Sequence, residues 1–431
     1  MTKKNFLKTF DFMRTDPSSF VLRPGIDFTR NRKCPFDSLL LLTLTMEAGS
    51  LNREIRRFFT KIHSPNITKS AFIQQRSKLN DNAFPFLLSS LNKIVPFRKT
   101  FRGYHLLACD GSDVNVPPDD KDDSTRVASN TAGVSYHQFH LNAFYDILEE
   151  RYTDVLIQPR AKYDERKAFL MFIRRNAVPG KCIFIADRGY CSFNVLSHLL
   201  CSGQFFLLRV RSDDTKSSLL WRFSLPDLTE YDMDLSFYVT RSRRKAYREA
   251  TEKYVYLSPG RTFDLIPPDD RTSLVQMTFR LVKVMLSNGE SEFLVTNLAR
   301  KDFPAPDLKE LYRLRWGIET AFRVLKYNVA LNSFHSIRRD LIIQEIYARL
   351  ILYNFTMMIM HCVDQPKKEA KYKYKISVSD AVVTCRDFMI HRIKNAEIEE
   401  LLSRYLTDIR PGRTFPRKCR SKRYISFNNR T

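Results

Sequence analysis

Two short apolar runs, each closing on an aspartate, constrain the fold of this chain most. HLLACDGSD (105–113) turns from apolar to polar at Asp110, and KCIFIADRGY (181–190) does the same at Asp187. Short apolar runs bounded by turn signals read as strands. Between them, YHQFHLNAFYDI (136–147) and RYTDVLIQP (151–159) read as a hairpin, joined by a short acidic turn. KYDERKAFLMFIRRN (162–176) has helical spacing before Pro179-Gly180 breaks the chain. The order strand, strand, strand, helix, strand predicts an α/β sheet, and ligands gather at strand carboxyl ends in such sheets. Taken singly, Asp110 or Asp187 also fits a turn cap.

The flanks differ from this segment. Residues 1–35 are basic and read as irregular, with Pro17, Pro24 and Pro35 as breakers. From Asp37 to about Leu91 the apolar spacing is helical, in SLLLLTLTMEAG, SLNREIRRFFTKI and TKSAFIQQRSKLN. Short helices with basic faces suit either a DNA-binding lobe or a plain packing bundle. Residues 205–300 are rich in β-branched and aromatic residues and read as a β-rich insertion. Helices resume at Asp307 and run to about His361. The last segment is basic and helical, and its tail after Asp408 carries eight Arg and Lys residues and no acid.

A net charge of +24 over 431 residues repels itself unless an anionic partner screens it, which points to a polyphosphate surface. Eight scattered cysteines with no paired CxxC argue against a structural zinc site. Cys182, Cys191, His198 and Cys201 lie close in sequence, but their spacing fits no metal motif. Reduced thiols in a cytosol are the expectation. The N-terminal MTKKNFLKTFDFMRTD lacks a long apolar core. The apolar stretch 341–361 contains Glu345 and Arg349, so it reads as a buried helix and not a membrane span.

LYRLRWGIETAFRVLK (311–326) holds one acid, Glu319, among Arg313, Arg315, Arg323 and Lys326. On a single helix, Tyr312, Arg315, Glu319 and Lys326 fall within an arc of roughly 60°. A salt-bridged surface helix explains such a stripe equally well. With Asp110 and Asp187 added, three acids converge, and close acids repel unless cations join them. Hard oxygen ligands suit Mg²⁺ or Mn²⁺, and two such ions clamp the attacking and leaving oxygens of a phosphodiester. The surrounding cations then hold DNA phosphates.

These residues resemble a known family. Tyr312, Arg315, Glu319 and Lys326 match in spacing the YREK signature of insertion-sequence transposases of the IS-four type. TNL (296–298), DRGY (187–190) and DGSD (110–113) look like that family's other blocks. The similarity covers about 105–330. It implies an RNase H-like catalytic core with a β-rich insertion, flanked by a helical N-terminal DNA-binding lobe and a helical C-terminal region. The implied division is 1–100, 101–204, 205–300, 301–363 and 364–431. The resemblance makes Asp110, Asp187 and Glu319 the catalytic metal ligands for two Mg²⁺ or Mn²⁺ ions. Tyr312, Arg315 and Lys326 position the strand, with Arg188 a candidate phosphate contact. Asp113 is left out of the ligand set. Family members bind inverted-repeat ends of double-stranded DNA, pair them in a synaptic complex, here expected as a homodimer, and join the 3′ ends to target DNA. Some flip a base onto an aromatic residue, and the resemblance singles out neither Trp221 nor Trp316 for that role. The expected location is the bacterial cytosol, with the nucleoid and no membrane. The alternatives are a metal-dependent DNA endonuclease of the same fold and a non-catalytic DNA-binding domesticated relative.

Overall fold

The computed structural model describes residues 2–30, 32–128, 135–212, 218–363, 373–390, 397–409 and 428–429. The basic tail from 410 onward lies almost wholly outside the described residues. Five helices come first: α1 (Thr2–Thr15), α2 (Phe36–Thr45), α3 (Leu51–Lys61), α4 (Lys69–Arg76) and α5 (Ala83–Ile94). Residues 1–35 read as irregular in sequence, but α1 is a regular helix. Its Phe6, Phe10 and Met13 recur at helical spacing and are buried, and Phe6 packs on Phe355 with ring centroids 4.6 Å apart. The basic residues between them masked that stripe.

The central segment is β1 (Tyr104–Val116), β2 (Arg126–Val127), β3 (Tyr136–Asp146), β4 (Arg151–Pro159), α6 (Glu165–Arg174), β5 (Lys181–Ala186), α7 (Phe193–Cys201) and β6 (Phe205–Val210). The chain continues through β7 (Tyr231–Thr240), α8 (Lys245–Glu249), β8 (Tyr254–Tyr256), β9 (Leu274–Met285) and β10 (Ser291–Thr296). All of these strands join one ten-stranded sheet, in the order β2-β3-β1-β5-β6-β10-β9-β7-β8, with β4 also on the edge of β3. β1, β5 and β6 are parallel, and β3 and β10 flank them antiparallel. The strands of 231–296 therefore extend the central sheet, because β10 pairs directly with β6 through Val295↔Leu208 and its neighbours.

Both sheet faces are covered. Side chains alternate across a strand with period two, so Leu107, Cys109, Phe184 and Ala186 pack with α6 and α7 in one apolar cluster. Leu106, Ile183 and Ile185 pack on the opposite face, with the helix that follows β10. That face receives α9 (Ala305–Arg313) and α10 (Trp316–Tyr327). Next come β11 (Ser333–Phe334) and α11 (Arg339–Met360), then β12 (Lys373–Ile376), α12 (Val378–Met389), α13 (Glu397–Arg404), β13 (Leu406–Ile409) and β14 (Asn428–Asn429).

The 341–361 stretch is the core of this face. α11 is buried nearly all round, against α2, α5, α12 and β4, as an apolar helix lacking a polar side must be. Each fully buried Leu or Ile contributes roughly 1.5–3 kcal/mol. Its polar residues are paired: Glu345 takes a bond from Arg76 at 2.9 Å and contacts His335 at 3.1 Å, and Asn354 accepts from the Tyr152 amide at 2.8 Å. Among the described residues no helix is long and apolar enough to cross a membrane.

Candidate active site

Asp110 and Asp187 emerge side by side. The parallel β1–β5 ladder runs from Tyr104↔Lys181 to Cys109↔Ala186 and stops there, so the next residue on each strand is an aspartate. By the same alternation, both fall on the face of Ile183 and Ile185, which is the α9–α10 side. One expectation is corrected. Asp110 does not end its strand, since β1 continues to Val116 and stays paired to β3 from Asp110↔Ala143 to Val116↔His137. β5 ends at Ala186 while β3 runs on, so β1 beyond Cys109 keeps one neighbour and leaves its other edge open.

Glu319 arrives from the same face, though not on the single helix expected for 311–326. α9 stops at Arg313 and α10 starts at Trp316. Through the joint the bonds tighten to three-residue spacing, with Arg315 N–H on Tyr312 O at 3.0 Å and Ile318 N–H on Arg315 O at 3.1 Å. Propensity does not forecast the break, because Leu314 and Arg315 are good helix formers with α-like dihedrals. The consequence is a splayed set of side chains. Tyr312 is buried on α9 and donates to Asp187 Oδ1 at 3.2 Å. Arg315, 5% exposed, sits at the joint with Nη2 2.8 Å from Glu319 Oε1 and Nη1 3.7 Å from Asp110 Oδ2. Lys326 reaches past the acids and donates to the Asp113 carbonyl at 2.8 Å. Arg188 is exposed beside Asp187.

The electrostatics follow from burial. Desolvation pushes Asp110 up to about 6, helped by the nearby Glu319 and Asp187 charges and opposed by Arg315 and by the Gly111 amide, which donates to Oδ1 at 2.9 Å. Burial raises Tyr312, keeping its phenol a donor to Asp187. Burial lowers Lys326, against the pull of Asp113. The donor set is three carboxylates, the oxygen chemistry that hard divalent cations take. Among the described residues, however, no three acidic, His or Cys side chains stand close enough to hold an ion as placed. The Arg315 guanidinium supplies the positive charge between Asp110 and Glu319, and its buried Nε has no hydrogen-bond partner among the described residues. The site's chemistry therefore fits a cation, with Arg315 in the balancing role.

A second cluster was not foreseen. His140 on β3 is buried, with Nδ1 2.7 Å from Asp113 Oδ1 and Nε2 3.1 Å from Glu165 Oε1 at the start of α6. Burial alone lowers the His140 imidazole, but the two carboxylates outweigh it and raise it. Arg160 Nε adds a contact to Asp113 at 3.3 Å. Gly111 makes room for this group: a Cβ there would run into the His140 ring and stand 2.8 Å from Glu165 Oε1. The signal in the sequence was a histidine inside the apolar run YHQFHLNAF. The cysteine and histidine group near 182–201 does other work, with His198 Nε2 bonded to Asp264 at 2.7 Å.

A family model for the transposase DDE domain matches residues 102–355, well over half of the chain and the whole span from Asp110 to Glu319. The chain belongs to the DDE transposase family. Over 188 residues this family member is 23% identical to y4zB of Sinorhizobium fredii (strain NBRC 101917 / NGR234), a protein that carries a transposase name. The aligned stretch is 42% of this chain and 43% of that relative, so the chain spans less than half the length of the relative it matches. A superposition on a piggyBac transposase, solved as a synaptic complex with hairpin DNA, gives a TM-score of 0.46 at 10% identity, covering 95% of this chain and 87% of that one.

Proposed function

We propose that this chain is an insertion-sequence transposase of the IS-four type, which binds inverted-repeat ends, cleaves them and joins the 3′ ends to target DNA. The observation that carries the reading is Arg315 set between Asp110 and Glu319, with Asp187 following the strand that pairs with β1 just before Asp110. The strand order β4-β3-β1-β5, antiparallel then parallel, supports an RNase H-like core. We assign 1–100 to a DNA-binding lobe, 101–204 and 301–363 to that core, 205–300 to the insertion and 364–431 to a basic C-terminal region.

In this reading Asp110, Asp187 and Glu319 would hold two divalent ions, Mg²⁺ or Mn²⁺, which when bound neutralise charge on the phosphodiester oxygens. The chain's own residues do the rest. Tyr312 orients Asp187 through its hydroxyl. Arg315 keeps the carboxylates ionised and apart, then offers its guanidinium to DNA phosphate. Lys326, held on the Asp113 carbonyl, presents an ammonium beside the strand, and Arg188 takes a phosphate on the Asp187 side. The partners are double-stranded DNA, as ends and as target, and a second copy of the chain in the synaptic complex. The place of action is the bacterial cytosol at the nucleoid.

The test is a strand-transfer assay with a labelled, pre-cut inverted-repeat end and a supercoiled target in Mg²⁺. The expected product is the end joined to the target through its 3′ hydroxyl. Cleavage with no joining would leave a nuclease, and binding with neither would leave a DNA-binding protein.

A further inference from the structure

The β1–β5 ladder ends at Cys109↔Ala186, one residue short of Asp110 and Asp187. Beyond it, pairing between these two strands no longer sets how the two acids stand to each other. β1 runs on beside β3, whereas Asp187 enters the DRGY turn that leads to α7.

The His140 cluster spans that gap. Asp113 lies three residues past Asp110 on β1 and faces His140 across the β1–β3 ladder, with Oδ1 2.7 Å from Nδ1. Nε2 of the same ring stands 3.1 Å from Glu165 Oε1, on the first turn of α6. The next residue, Arg166, donates from Nε to the Gly189 carbonyl at 2.9 Å, two residues after Asp187. Phe169, one turn further along α6, packs on Tyr190 of the same DRGY turn, with ring centroids 5.5 Å apart. Glu165 itself lies near that turn, since a Cβ on Gly189 would stand 3.8 Å from its Oε2. The path runs from β1 through β3 and α6 to the residues around Asp187, and the His140 ring is its middle link.

The ring holds this place as a cation. Carboxylates only accept, so a ring with a carboxylate oxygen at each nitrogen presents an N–H at both. Burial disfavours the Asp113 carboxylate, but His140, Arg160 and Lys326 outweigh it and hold its pKa below the ordinary value. A single metal ion does not account for the group, because the ring stands between its two acids and one ion cannot meet all three. Nor does His140 meet DNA: it is 5% exposed, and Tyr163 packs on it with ring centroids 4.4 Å apart. Replacing a buried ion pair by apolar residues is often neutral for stability. What the charged contacts add is direction.

We propose that His140 is a positioning residue, whose contacts to Asp113 and Glu165 set the placement of Asp187 against Asp110 and so the shape of the metal site. The proposal rests on the reading of those acids as metal ligands, and it adds the group that spaces them.

The experiment titrates the DNA-free full chain with Mn²⁺ in a calorimeter and follows hydrogen exchange of the 187–190 amides by mass spectrometry. The β1–β3 ladder already joins Asp113 to His140, so the contact to Glu165 is the one that ties in the turn. A glutamine amide reaches the place of Nε2, whereas an asparagine amide reaches only that of Nδ1. His140→Leu and His140→Asn are expected to weaken Mn²⁺ binding at least about tenfold, as when a residue that orients a metal ligand is lost. Both are expected to speed exchange at 187–190, and His140→Gln is expected to keep most of the affinity and the protection. Val382→Ala on α12, outside this path, is expected to melt lower and to bind Mn²⁺ like wild type. Circular dichroism melts identify any variant that fails to fold, and the contrast of His140→Asn with His140→Gln stands without His140→Leu. If the wild type needs DNA to bind metal, the Mn²⁺ concentration for half-maximal strand joining replaces the titration. The proposal is overturned if His140→Asn binds Mn²⁺ like wild type, if His140→Gln is as weak as His140→Asn, or if Val382→Ala loses as much. A wild type that binds no Mn²⁺ and joins no ends defeats the metal-site reading. Faster exchange at 187–190 in His140→Asn, and not in His140→Gln, then leaves the tie standing, and unchanged exchange removes it too. Strand joining by the wild type, with His140→Asn alike in exchange and in joining, keeps the reading and removes the tie.

Discussion

Arg315 donates to Glu319 at 2.8 Å from the joint between α9 and α10, and so holds in place the one carboxylate of the site that no strand supplies. Both side chains come from the same stretch of sixteen residues, 311–326, in which Glu319 is the single acid. The guanidinium also faces Asp110 at 3.7 Å. It therefore balances the charge of both Asp110 and Glu319.

Glu319→Gln keeps the shape of that contact and removes the charge. Cleavage of an end should stop, with end binding in a gel shift within about twofold of wild type. Asp110→Ala and Asp187→Ala should behave alike. A chelator should silence the wild type in the same assay, and near-normal cutting by any one of the three variants would remove that residue from the ligand set.

Arg315→Ala separates charge balance from DNA contact. If the guanidinium occupies the place of a cation, its loss should tighten Mn²⁺ binding to the DNA-free protein, read by calorimetric titration, while end cleavage falls. Unchanged Mn²⁺ affinity would mean that Arg315 serves only as a local ion pair. Lys326→Ala should instead leave Mn²⁺ binding alone and weaken end engagement by on the order of 1–3 kcal/mol, as for a lost charge-assisted contact.

Gly111→Ala tests the cluster behind the site. The added methyl meets the buried His140 ring and Glu165, and overpacking of this kind costs typically about 1–3 kcal/mol. The expected result is a lower melting temperature together with reduced cleavage. A silent substitution would show that His140 has room to move.

Acid stability should depend on Glu345. Burial disfavours its charged form, but Arg76 and the His335 hydrogen bond outweigh it and hold the carboxyl at about 2, below the ordinary 4.5. A depressed carboxylate stabilises the fold above its unfolded pKa, and that stability is lost as pH falls from about 4.5 towards about 2. Glu345→Gln should flatten this acid limb in a series of thermal melts. It should also cost about 3–5 kcal/mol near neutrality, because Arg76 is then buried without its partner. An acid limb identical to wild type would place the titrating group elsewhere.

By itself, the sequence determined the two apolar runs that close on Asp110 and Asp187, the hairpin between them and the buried character of 341–361. Each is a local pattern: an apolar run of strand length, a period of two or of 3.6, or a charge inside an apolar helix that must find a partner. The pattern in α1 was present too, in Phe6, Phe10 and Met13, but basic neighbours hid it. Only the tertiary structure decided the rest. Asp110 lies mid-strand because β3 outlasts β5 as a partner of β1, and pairing between strands leaves no trace in either strand's own residues. The break at Leu314–Arg315 falls where propensity favours continuity, and packing of α9 and α10 on one sheet face places it. The His140–Asp113–Glu165 cluster joins three elements that only the register of β1 against β3 and the approach of α6 bring together. Periodicity tells which face a side chain takes, whereas long-range packing tells what it meets there.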